Sequence, residues 1–338
     1  MRELFRYHPR IGHTFIPGLR ARVEHEAGGY LVAVNGQGFR CGHEFRTAKP
    51  SGGFRVILCG DSFTAGDGVS NQRRYGDLLE QRLPGLELFN LGLPGTGTDQ
   101  HLLAFEEVTR TMEYDLVVVA VQVENIRRVN SRYRETRNMD GETVVRAKPY
   151  FIRDGAGELT LCHVPVPRLP LDPAELDDAT LEQVDRGGSF ATLRGVVNRL
   201  GGPVKELAQR LSRYQPVPGY DQADHPHWLL LRDILTRLIR ASQAPVVLFP
   251  IPLYQYVEGS SSSRACQARF AELHRPPGVT VVDPLPHLLT FPPATRRAFR
   301  FPQDVHPTPL YHRVLADCLE PALRARMGLP AAAGGSGP

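Results

Sequence analysis

An α/β domain built on a parallel sheet is the fold class this sequence predicts. Three short runs, at 54–59, 86–91 and 116–121, are largely apolar, and stretches of helical spacing separate them. Runs of this length without polar alternation suit strands covered on both faces, as in a parallel sheet flanked by helices. The β-α-β-α-β order supplies the crossovers that parallel strands require.

Residues 1–50 read as a β-rich N-terminal extension. Tyr30-Leu31-Val32-Ala33-Val34 has the β-branched and aromatic content of a strand, Asn35-Gly36 marks a turn, and Lys49-Pro50-Ser51-Gly52-Gly53 is a linker. The main domain spans 51–326. After the first strand, 75–82 has helical spacing and ends at Pro84-Gly85. A second helix is expected over 101–112, with Thr98 and Asp99 as its caps. The alternation resumes with a helix over about 228–242, strands at 245–251 and 279–282, and a closing helix over 311–324. Between the two halves, residues 127–227 hold prolines at 165, 167, 170 and 173 and many charges. They read as an insertion bordering the C-terminal edge of the sheet. Residues 327–338 read as a disordered tail.

Composition narrows the function classes. The chain has 338 residues, 41% hydrophobic and 22% charged, enough for a sizeable core without staples. Its net charge of +4 comes almost wholly from arginine, since lysine occurs only at 49, 148 and 205. The arginines are interspersed with acids, so no nucleic-acid partner is expected. Five widely spaced cysteines, at 41, 59, 162, 266 and 318, form no CxxC and fit reduced thiols. The charged first ten residues hold no signal peptide, and no apolar run is long enough to span a membrane, so the expected compartment is the cytoplasm. Asp224, His225 and His227 are too few for a metal site. Gly66-Asp67-Gly68 and Gly95-Thr96-Gly97 match no phosphate-binding motif, so no cofactor and no metal are expected.

Sites in parallel α/β sheets lie at the C-terminal ends of the strands. The first strand here ends in Gly60-Asp61-Ser62-Phe63, the second in Asn90-Leu91-Gly92-Leu93-Pro94-Gly95 and the third in Gln122-Val123-Glu124-Asn125. Asp304-Val305-His306-Pro307 precedes the last helix. Each residue type suits acyl transfer. A serine hydroxyl needs an adjacent base, a histidine supplies one near neutral pH, and a carboxylate fixes the imidazole tautomer. A glycine lets substrate approach a backbone N–H, and an asparagine amide donates from the side.

Those four segments resemble the conserved blocks of the SGNH/GDSL hydrolase superfamily, over about residues 54–126 and 245–325. The resemblance implies a flavodoxin-like three-layer α/β/α sandwich with a central parallel sheet. It implies Ser62 as nucleophile and His306 as base, oriented by Asp304, with the Ser62 amide, Gly95 and Asn125 forming the oxyanion hole. Asn35 to Arg40 is similar to a segment that precedes the catalytic domain in some bacterial members. The third block departs from the usual Gly-x-Asn-Asp, reading Val123-Glu124-Asn125-Ile126, and Asp304 lies two residues before His306 instead of three. Asp61, Gln122 and Tyr254 are expected in the substrate pocket, with Trp228, Tyr256, Arg127 and Arg128 as further wall candidates.

Three functions remain open on this reading. The first is a serine esterase or deacylase acting on a carbohydrate or small-molecule ester, such as an O-acetyl group, through an acyl-enzyme on Ser62. The second is an O-acyltransferase using the same residues. The third, suggested by the absent aspartate after Asn125, is a non-catalytic protein that binds a glycan or a partner.

Overall fold

The computed structural model describes residues 3–137, 141–185 and 216–331. The extension folds as two antiparallel hairpins. Strands β1 (Phe5–His8) and β2 (Gly12–Phe15) form the first, and β3 (Arg20–Val23) and β4 (Tyr30–Ala33) the second. The expected turn follows β4. Asn35 Oδ1 accepts the N–H groups of Gln37 (3.2 Å) and Phe39 (2.9 Å), the side-chain closure that favours asparagine in turns.

The central strands appear where the apolar runs predict them. β5 (Phe54–Cys59), β6 (Leu86–Asn90) and β7 (Leu116–Gln122) are almost wholly buried, and β7 is buried along its whole length. The insertion adds β8 (Tyr133–Arg137), β9 (Thr143–Ala147), β10 (Tyr150–Arg153), β11 (Leu159–Cys162) and the short β12 (Val184–Asp185), the last pairing with β8. Residues 186–215 of the expected insertion, and 332–338 of the expected tail, lie outside the described residues. β13 (Val246–Ile251) and β14 (Val279–Val281) complete the main sheet.

That sheet has the order β14-β13-β7-β5-β6, with every pair parallel. The chain steps from β5 outward to β6, then crosses back to place β7 on the other side of β5. The reversal opens a crevice at the carboxyl ends of β5 and β7, where ligands bind in folds of this kind. Helices cover the sheet. α2 (Tyr75–Arg82) packs with the helix Pro309–Met327, and α3 (Thr98–Thr109) packs with the helix Pro226–Ala241. Among the described residues, no helix is long and apolar enough to cross a membrane.

Helix starts differ from expectation for physical reasons. α3 begins three residues early because Gly97, not Thr98 or Asp99, is its N-cap. The Gln100 side chain returns to the Gly97 N–H (3.3 Å), and Asp99 lies in the first turn, where a carboxylate is favoured. Asp99 also forms a buried ion pair with Lys148, tying the insertion to α3. His225, one of the two histidines weighed as a metal ligand, instead caps the helix Pro226–Ala241 by accepting the His227 N–H at 3.2 Å. The last helix starts at Pro309 behind the Thr308 cap and ends on Gly328 with φ 67°.

Arg40 joins the extension to the main domain. It is fully buried and donates to the carbonyls of Ala65 (2.8 Å), Gly66 (2.6 Å), Leu31 (3.0 Å) and Val69 and to Asn71 Oδ1 (2.8 Å). Replacing Arg40 with Ala strands several buried acceptors. The expected loss is about 3 kcal/mol of unfolding free energy, read as a lowered urea midpoint at unchanged slope. A loss below about 1 kcal/mol would show that these carbonyls find other partners.

Candidate active site

Ser62 opens α1 (Ser62–Ala65), a single helical turn directly after β5. Asp61 is its N-cap and accepts the Phe63 N–H at 3.0 Å. As the first helical residue, Ser62 has an amide that the helix's own ladder does not use. The Ser62 hydroxyl meets His306 Nε2 at 2.8 Å, and His306 Nδ1 meets Asp304 Oδ1 at 2.6 Å. A carboxylate only accepts, so Nδ1 carries the proton and the Nε2 lone pair faces the serine hydroxyl. The main-chain N–H of His306 also donates to Asp304 Oδ1 (3.1 Å), which holds the two-residue spacing in a tight turn.

The far oxygen of Asp304 is also occupied. His25, in the loop between β3 and β4, donates from Nε2 to Asp304 Oδ2 at 3.2 Å. Its Nδ1 accepts the Ala27 N–H (3.2 Å), which fixes that tautomer. Its ring lies edge-on to Phe301 at 4.4 Å. Glu26 accepts the N–H groups of Gln303 (3.0 Å) and Asp304 (2.8 Å), so the loop carrying the acid is gripped by the extension.

These contacts set the charges. Burial favours the neutral acid of Asp304, but hydrogen bonds from His306 and His25 and the imidazolium charge outweigh it and hold the carboxyl far below its usual range. Burial likewise works to lower His306. The Asp304 hydrogen bond and the charges of Asp67, Asp304 and Asp61 prevail and raise it above 6.5.

Gly95 lines the cavity that opens at Ser62 and His306. Its φ of 72° favours glycine, and a Cβ there would overlap the Arg134 guanidinium from β8. The peptide before it is fixed by its carbonyl. Pro94 O accepts from His13 Nε2 (3.0 Å) and, at 3.5 Å, from Arg134. In a planar trans peptide the Gly95 N–H points opposite to that carbonyl, so both donors fix its direction. Burial and the charge of Arg134 push His13 down to about 4, which keeps it neutral.

The other expected residues divide between the cavity and the interior. Asn125 opens α4 (Asn125–Arg128) and is completely buried. Its amide donates to Asp61 Oδ2 (3.4 Å) and its oxygen accepts from Arg128 (3.4 Å), and it is not among the residues lining the cavity. Asp61, expected in the pocket, is instead buried behind Ser62, paired with Arg128 at 3.0 Å. Gln122, Tyr254 and Arg128 do line the cavity. Trp228 and Tyr256 are core residues, and Arg127 turns to Glu124 and the Pro216 carbonyl. Sequence reasoning missed His13, His25 and Arg134. Among the described residues no cluster of three or more His, Cys, Asp or Glu side chains could hold a metal ion.

The model of the GDSL-like lipase/acylhydrolase family matches residues 58–314. No curated protein matches the chain. Among solved structures, it is similar to a member of the lipolytic protein G-D-S-L family from Veillonella parvula (13% identity, 79% of this chain and 96% of that one, TM-score 0.37). A lipase/acylhydrolase from Enterococcus faecalis is similar at 14% identity, over 81% and 96% of the two chains, with TM-score 0.37. LAE5, an alpha/beta hydrolase enzyme from the metagenome of Lake Arreo, is similar at 14% identity, over 85% and 98%, with TM-score 0.41.

The imidazole of His306 is expected to titrate above 6.5 by NMR, and Asp304→Asn to bring its midpoint down, because burial then acts with less opposition. A wild-type midpoint below 6.5 would contradict the charge balance described above.

Proposed function

The chain belongs to the GDSL-like lipase/acylhydrolase family, and from that premise we propose that it is a serine esterase working through an acyl-enzyme on Ser62. The observation that carries the reading is the continuous hydrogen-bonded line from Ser62 Oγ through the His306 ring to Asp304.

His306 Nε2 takes the hydroxyl proton as Ser62 Oγ bonds to the ester carbonyl carbon. The tetrahedral intermediate collapses, the bond to the alcohol oxygen breaks, and His306 returns the proton to that oxygen. Water then attacks the acyl-enzyme, giving its proton to Nε2. The bond to Ser62 breaks and the serine recovers its proton. Asp304 keeps the imidazole in the required tautomer and stabilises its charged form. The oxyanion is received by the Ser62 and Gly95 amides. Asn125 stays in the proposal as the support of Asp61 and Arg128 behind the nucleophile, since its side chain contacts both and it does not line the cavity. The substrate is a small-molecule or carbohydrate ester, in keeping with a cavity of about 280 Å³.

Hydrolysis of 4-nitrophenyl acetate and butyrate by the purified protein tests this. Ser62→Ala and His306→Ala are each expected to lower kcat by on the order of 10⁴-fold. Fluorophosphonate should label the wild type at Ser62. Failure to label, with variants as active as wild type, would refute the mechanism; diversion of the acyl group to added sugars would mark a transferase. His306 must be neutral to act, so kcat/KM should fall with decreasing pH with a midpoint above 6.5.

A further inference from the structure

The cavity beside Ser62 has an uneven charge balance. Arg128, Arg134, Arg296 and Arg300 line it, against Asp67 and Glu124. Two of the arginines are compensated locally, Arg128 by Asp61 at 3.0 Å and Arg300 by Glu258 at 2.7 Å. Glu124 is itself engaged by Arg127 at 3.3 Å. Arg134 and Arg296 have no ion pair among the described residues. Arg296 donates to the Val257 carbonyl (2.8 Å), and among the described residues Arg134 makes only the long bond of 3.5 Å to Pro94 O. The Nε of each is buried without a partner.

The same cavity wall carries two more orphaned groups. Among the described residues the Tyr311 hydroxyl and both polar atoms of the Gln255 amide are buried and unpartnered. Among the described residues Asp67 is the one lining acid with no ion pair to an arginine; it lies 4.0 Å from His306 Nε2, and burial raises its pKa toward the neutral form. Burial, with the charge of Arg128 next, pushes Arg134 down to about 10 against the opposing charges of Asp185, Asp67 and Asp61.

We propose that this cavity takes an ester bearing an anionic group, a carboxylate, phosphate or sulfate, and that the Arg134 guanidinium holds that group. The proposal rests on the esterase reading and specifies its substrate class. A planar fork of donors suits an oxyanion group better than a point charge does. Because the guanidinium lies against Gly95, the anion it holds is close in the substrate to the reacting carbonyl.

Kinetics with the full-length protein test this in two arms. 4-Nitrophenyl butyrate against mono-4-nitrophenyl succinate places the anion on the acyl side. Methyl 4-acetoxybenzoate against 4-acetoxybenzoate places it on the alcohol side. In one arm kcat/KM should favour the anionic member by on the order of tenfold, chiefly through KM, the scale of one charge-assisted hydrogen bond. That ratio should collapse toward unity in Arg134→Gln and recover in part in Arg134→Lys. No anionic preference in either arm, or a preference that survives Arg134→Gln, overturns the proposal. If all four esters are inert, the esterase reading has failed, and the anion site is then judged by calorimetry with succinate and inorganic phosphate. Binding that Arg134→Gln abolishes upholds the site, and no binding overturns it.

Discussion

Arg40 lies wholly inside the protein, and its guanidinium reaches the carbonyls of Ala65 and Gly66 at the end of the turn that Ser62 begins. Arg74 donates to the Ala65 carbonyl as well (3.3 Å) and to the Arg40 carbonyl. A cation at the C-terminal end of a helical turn meets its exposed carbonyls and the negative end of its dipole, so both contributions favour this placement. Burial, and then the neighbouring charge of Arg74, push Arg40 down to about 9, while the carbonyls it donates to give its buried N–H groups partners. The turn that presents Ser62 is thereby locked to the strand-and-turn segment of residues 31–40.

The same extension reaches the site at two further places. His13 on β2 holds the Pro94 carbonyl, and His25 with Glu26 holds the 303–306 loop. Three loops from distant parts of the chain are thus tied to one short β-rich piece. Side chains on loops keep a fixed geometry only when neighbouring hydrogen bonds remove their freedom. Here those bonds come from residues 13 to 40, outside the span 58–314 that matches the family. The extension acts as the frame in which the proposed nucleophile, base and oxyanion donor meet.

The sheet was legible because burial on both faces leaves a plain signal, and 54–59 coincides with β5. Ser62, Asp304 and His306 were legible because they stand at strand or helix ends in short, ordered segments. His25 was not, since an isolated histidine carries no mark of a contact with a residue 279 positions later. Arg134 was hidden among many arginines, and its position depends on the pairing of β8 with β9 and β12. The role expected for Asn125 turned on a side-chain direction that sequence does not encode. Asp61 and Arg128 form a buried ion pair beside it, and an amide that can satisfy both partners turns to them.

That turn bears on how the proposed oxyanion site is arranged. In the proposed oxyanion site the donors are the Ser62 and Gly95 backbone amides, and their direction becomes the decisive quantity. The Gly95 N–H is aimed by what its own peptide's carbonyl accepts, and two residues, His13 and Arg134, supply those bonds. Arg134 can approach only because position 95 lacks a side chain. The glycine therefore serves two ends, admitting a backbone conformation with positive φ and admitting a guanidinium. An anion drawn toward Arg134 would sit beside the same peptide, so substrate recognition and oxyanion geometry are coupled through one glycine and one arginine.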